Sequence, residues 1–84
     1  MSSFPPIKTF GPVAALTAGQ LFDEMRTARS EAFRFHKGAK DAATTIRVEV
    51  RAAYIAWARA NAFAFEDRAA ECEAAFKATF AVAA

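Results

Sequence analysis

Between Ile46 and Phe65 the chain reads IRVEVRAAYIAWARANAFAF, a stretch apolar on too many sides for a helix that simply rests on a small core. At about 100° per residue, Ile46, Val50, Ala53, Tyr54, Trp57 and Ala64 fall on one face of such a helix, and Val48, Ala52, Ile55 and Phe63 on roughly the opposite one. A helix of this kind needs cover on both sides. A chain of 84 residues buries only about 60 to 65 % of its unfolded surface, so any element or partner that covers a second face adds stability. Hydrophobic residues make up 55 % of the sequence, but many are Ala, which raises helix propensity more than it adds burial. Nine Phe and one Trp must therefore supply most of the core volume.

Ahead of this stretch, residues 1–16 hold all three prolines, Pro5, Pro6 and Pro12. They remove backbone donors and favour an extended arm. The arm carries Phe4, Ile7, Phe10, Val13 and Leu16, too many apolar groups for a solvated tail, and is expected to lie over the helices. Leu16 to Leu21 then reads as a helix start. Thr17 is the N-cap, Gln20 completes a capping box, and Leu16 with Leu21 forms the hydrophobic staple. Inside this helix Leu21, Met25, Ala28, Ala32 and Phe35 form a core stripe with His36 at its edge, and Gly38 is read as the stop.

Asp41 is read as the N-cap of a second helix. Thr45 to Val50 alternates polar and apolar residues and is rich in β-branched side chains, which is also a strand pattern. Helix is favoured because the helical stripe continues into an Ala-rich segment without a turn signal. After Gly38 there is no Gly or Pro. Asn61, which tolerates a left-handed cap, therefore marks a bend somewhere in 61–67. The rival is one helix of some 40 residues, about 60 Å long. The stripe of Phe65, Ala69, Cys72, Phe76 and Phe80 is out of phase with that of Ile46, Val50 and Trp57 on a 3.5-residue repeat, which favours a separate third helix. The expected fold is all-α: a single helical domain, 1–84, with an extended arm over 1–16 and a three-helix bundle of helices at about 18–37, 42–61 and 65–82.

A single Cys rules out an internal disulfide and a paired-thiol zinc site, which fits a reducing, cytoplasmic setting. The N-terminal residues lack the pattern of a signal peptide. The apolar run from Ala52 to Phe65 is interrupted by Arg59 and Asn61 and is shorter than the roughly 20 residues that span a bilayer, so no membrane partner is expected.

No catalytic, cofactor or metal signature emerges, and the chain is read as a non-enzyme without a cofactor. His36 and Cys72 fall on different predicted helices. His36 reads as a structural residue at a helix C-terminus, and Cys72 as a small hydrophobe between two Phe. Glu66, Asp67, Glu71 and Glu73 spread around a helix, as a solvated face does.

From Arg26 to Arg51 there are seven Lys or Arg against three acids, although the whole chain carries only +2. Arg26, Arg29 and Lys37 share a face with Phe22 and Phe33. Aromatics beside cations suit a protein interface, a phosphate backbone with stacked bases, or a solvated face under which the Phe side chains pack. Helix-turn-helix binding of DNA is disfavoured, because the tight Gly turn is missing where it is needed. The function expected is a small interaction module, an adaptor, assembly component or inhibitor, that self-associates or binds a larger protein. Its partner-binding residues are Val48, Ile55 and Phe63 together with Phe22, Arg26, Arg29, Phe33 and Lys37. The alternative is nucleic-acid binding through Arg26 to Arg51.

Overall fold

A computed structural model describes residues 4–83. Residues 1–3 of the expected arm and Ala84 lie outside the described residues. Two helices, not three, form the structure: α1 over Ala18–Thr45 and α2 over Val48–Ala83, preceded by a single 3-10 turn at Val13–Ala15. They run antiparallel as one hairpin, and ion pairs place Arg29 opposite Glu73 and His36 opposite Glu66. The 36 residues of α2 span about 54 Å, which sets the long dimension of a molecule measuring 55 × 23 × 13 Å.

The capping box read from the sequence is formed: Gln20 N–H donates to Thr17 Oγ1 and Thr17 N–H to Gln20 Oε1. The predicted stop at Gly38 does not occur, and α1 continues for seven more residues, to Thr45. Gly38 serves close approach instead. A Cβ placed there would lie 2.6 Å from the Tyr54 hydroxyl on α2. Asp41, predicted to cap a second helix, lies inside α1 and pairs with Lys37 one turn earlier.

The chain reverses at Ile46 and Arg47, within the segment whose β-branched alternation is also a strand pattern. Ile46 is extended, with φ −117° and ψ 136°. Thr44 and Thr45 turn their hydroxyls back onto the Asp41 carbonyl, a local bond that competes with helix continuation. The Arg51 guanidinium then donates to the Ala42 and Ile46 carbonyls, satisfying acceptors that the end of α1 leaves open.

The bend predicted near Asn61 is absent, and α2 runs straight through it. The phase argument for a third helix failed because the stripe of Ile46, Val50 and Trp57 is not the seam: Trp57 lies under the arm, and Ala58 and Ala62 carry the Phe65, Ala69, Cys72 and Phe76 stripe back across the presumed break. Much of the seam between the helices is made of small residues. On α1, Leu21, Met25, Ala28, Ala32, Ala39 and Ala42 are buried, at alternating spacings of three and four that continue through half-buried Phe35. On α2, Ala58, Ala62, Ala69 and Cys72 are buried, and with half-buried Phe65 and Phe76 they keep the same 3.5-residue rhythm across the presumed break. Alanine lets the two backbones approach, and the rings of Trp57, Phe33 and Phe63 lie on the faces of the hairpin.

One face is strapped by the N-terminal arm, which runs in the same direction as α2. Phe4 stacks on Trp57, whose Nε1–H donates to the Pro5 carbonyl at 2.8 Å. Further along, Lys8 N–H donates to Asn61 Oδ1. Phe10 packs edge-on against Phe65, and the Gly11 carbonyl accepts from Arg68. Among the described residues no helix is long and apolar enough to cross a membrane.

Candidate functional site

The arm takes one side of α2, that of Tyr54, Trp57, Asn61, Phe65 and Arg68. At about 100° per residue the other side carries Val48, Ala52, Ile55, Arg59, Phe63, Glu66 and Ala70. The second apolar stripe of the Ile46–Phe65 stretch is therefore not under the arm. Val48 is 68 % exposed and Phe63 is 56 % exposed, while Ile55 is half-buried. On α1 the same side carries Phe33, 69 % exposed, next to a groove lined also by His36, Lys37, Lys40, Asp41 and Arg59. The Phe63 ring meets His36 edge-on. Sequence reasoning placed Val48, Ile55 and Phe63 on one element and Phe33 and Lys37 on another; the hairpin brings both sets to one side, the bare face.

Phe22, Arg26 and Arg29 extend this face toward the open end of the hairpin. The Phe22 ring packs on Phe76, the Arg26 guanidinium lies over Phe22, and Arg29 pairs with Glu73. Ala69, Ala70, Glu66, Glu73 and Arg29 border a shallow depression on this face. It lies between the Arg29–Glu73 and His36–Glu66 bridges.

His36 is not at a helix C-terminus, as its sequence position suggested, because α1 continues past it. Arg59 Nη1 donates to its Nδ1 at 2.8 Å. An arginine has no lone pair to offer, so Nδ1 is the acceptor and the ring proton sits on Nε2. That proton is donated to Glu66 Oε1, also at 2.8 Å. Arg59, His36 and Glu66 thus form a chain that ties the two helices together across the middle of the bare face. Lys37 pairs with Asp41, whose hydrogen bond and charge raise the lysine pKa above its ordinary value.

Much of the basic segment is internally matched. Arg29, Arg34, Lys37 and Arg47 each have a carboxylate partner, and Arg51 is turned inward onto backbone carbonyls. The sequence reading credited this segment with more available charge than the folded chain presents.

On the opposite side lie two buried polar residues, Asn61, which the sequence reading took for a bend, and Arg68, which it did not single out. Arg68 is 4 % exposed and Asn61 is 3 % exposed. Arg68 reaches Glu24 on α1, the Gly11 carbonyl and the face of Phe10. Asn61 accepts from Lys8 N–H and donates to the Trp57 carbonyl, so both ends of its amide are used. In the sequence Asn61 is a polar residue in an apolar run, and nothing sets Arg68 apart from the charged residues around it. Cys72 is fully buried beside them. Burial pushes its thiol pKa up; Arg68 pulls the other way, and Glu24 adds to the rise. This thiol stays protonated and unreactive at neutral pH.

Among the described residues no three His, Cys, Asp or Glu side chains converge as metal ligands. Comparison with known protein families, with curated proteins and with solved structures finds no match.

Proposed function

We propose that this chain is a small non-enzymatic protein–protein interaction module, an adaptor, assembly component or inhibitor, whose contact surface is the face opposite the arm. The observation that carries this reading is one-sided cover: the arm occupies the Trp57 side of the hairpin, while Phe33, Phe63 and Val48 stay largely in water on the other. Two helices side by side give a layer only 13 Å thick, in which each helix has a neighbour on one flank and each broad face needs its own cover. Exposed aromatics grouped with arginines are the composition of a protein contact. A reducing, cytoplasmic setting suits a chain with one thiol. The matched charges of the basic segment weigh against nucleic acid as the partner.

The test combines two measurements. Sedimentation velocity from micromolar to millimolar concentration reads self-association. Capture from host lysate, with wild-type and Phe63→Asp baits compared side by side, reads other partners. Phe63 is exposed enough that the variant should remain helical by circular dichroism. We expect Phe63→Asp to lose either the self-association or the captured protein. A chain that stays monomeric, and whose two baits return the same proteins, would refute the reading.

A further inference from the structure

The bare face carries more positive charge than its own carboxylates answer. Each carboxylate on it or at its edge is already engaged: Asp41 by Lys37, Glu66 by His36, and Glu73 by Arg29 and Lys77 together. Arg26, Lys40 and Arg59 are left, and among the described residues none of the three forms an ion pair with a carboxylate. The Arg26 guanidinium rests on the Phe22 ring. Arg59 spends one N–H on the His36 ring, whose Nδ1 accepts without carrying a negative charge.

Two of these cations share one place. Lys40 and Arg59 both line the groove at Phe33, in which Lys37 and Asp41 neutralise each other. Phe33 is largely exposed at this groove, and the exposed Phe63 borders it through His36. Cations alone would be satisfied by water and salt, and bare rings alone would accept any apolar surface. Together they select a segment that carries carboxylates next to apolar side chains. Arg59 keeps N–H groups beyond the one given to His36, enough to hold a carboxylate by two parallel bonds.

Resting on the interaction reading above, we propose that the groove at Lys40 and Arg59 anchors an acidic, apolar-flanked segment of a different protein. A carboxylate of that segment sits on Arg59 and Lys40, and an apolar neighbour covers Phe33. The same face of a second copy of the chain brings no carboxylate to spare, so a symmetric dimer through this face leaves both cations unanswered. Nucleic acid fits less well, because a phosphate backbone is met by a track of cations along its length, and here two stand at one groove.

The probe is a labelled random copolymer of glutamate and tyrosine, which offers carboxylates beside rings in any conformation. Polyglutamate, a lysine–tyrosine copolymer and duplex DNA are the comparisons, and binding to the full chain is read by fluorescence anisotropy at about 0.15 M salt. One variant combines Lys40→Glu with Arg59→Glu. A second combines Arg34→Glu with Arg47→Glu, which are exposed, lie away from the groove and change the net charge equally. Lys40→Glu alone leaves the Arg59–His36 bond in place, and circular dichroism checks that each variant stays helical. The expected result is preference for the glutamate–tyrosine copolymer over all three comparisons. Its affinity should fall about tenfold in the Lys40/Arg59 variant and in Phe33→Ala, fall in the same direction in Lys40→Glu, and change far less in the Arg34/Arg47 variant. Absent binding, an equal loss in the Arg34/Arg47 variant, or tighter binding of DNA each overturns the inference. The lysate capture separates it from the reading it rests on: a protein lost by the Phe63→Asp bait but kept by the Lys40/Arg59 bait overturns the acidic partner and leaves the interaction reading standing.

Discussion

Arg68 is the side chain whose environment most depends on the whole fold. It is buried, and three separate segments supply what its guanidinium needs: Glu24 from α1, the Gly11 carbonyl from the arm, and the Phe10 ring. Removing one partner of a buried pair leaves the other charge desolvated, at about 3 to 5 kcal/mol. Glu24 keeps about a third of its side-chain surface in water, so part of that cost is screened. Glu24→Gln should therefore lower stability in chemical denaturation by about 2 to 3 kcal/mol, and adding Arg68→Met to it should recover part of the loss. If Glu24→Gln is neutral, Arg68 does not depend on that carboxylate.

Among the elements, α1 and α2 show how a packing demand replaces a stop signal. Gly38 costs α1 about 1 kcal/mol of helix propensity relative to Ala. The position faces Tyr54, which Phe4 and Trp57 hold from the far side. Gly38→Ala should gain little or lose stability in the wild-type chain, since the new methyl meets the Tyr54 hydroxyl. Without that hydroxyl the nearest remaining ring atom is at 3.7 Å, an ordinary contact. In a Tyr54→Phe background the same change should therefore stabilise by about 0.5 to 1 kcal/mol. Equal effects in the two backgrounds would show that the close approach does not govern this position. The reversal at Ile46 follows similar logic: β-branched residues weaken the helix there, and Arg51 captures the carbonyls that the break exposes.

For the whole molecule, shape is the dominant fact. A radius of gyration of 15.7 Å compares with about 12 Å for a compact chain of this length. The arm is what turns one side of this thin layer into a core, and Asn61 fastens its midpoint. Asn61→Ala leaves the Lys8 N–H without its acceptor, which should cost about 1 to 2 kcal/mol with little change in helix content. Trp57, the chain's one tryptophan, sits under Phe4 and bonds Pro5, so its fluorescence should shift to longer wavelength as the arm loosens. Unchanged emission in a destabilised variant would separate the Asn61 contribution from the strap.

By itself the sequence determined the helical class, the start of α1 at its capping box, the buried stripe from Leu21 through Ala32, and the two-sided apolar character of the Ile46–Phe65 stretch. These are local or periodic properties, set by propensity and spacing. Tertiary structure decided the number of helices, because Gly38 and Asn61 carry the residue types of helix ends yet answer to Tyr54 and to Lys8, each far away in the chain. It also decided which apolar residues pack. Alanines make much of the seam because two backbones approach closely there, and Trp57, Phe33 and Phe63 divide between an arm-covered face and a bare one. That division depends on where the arm lies, and no spacing within α2 encodes it.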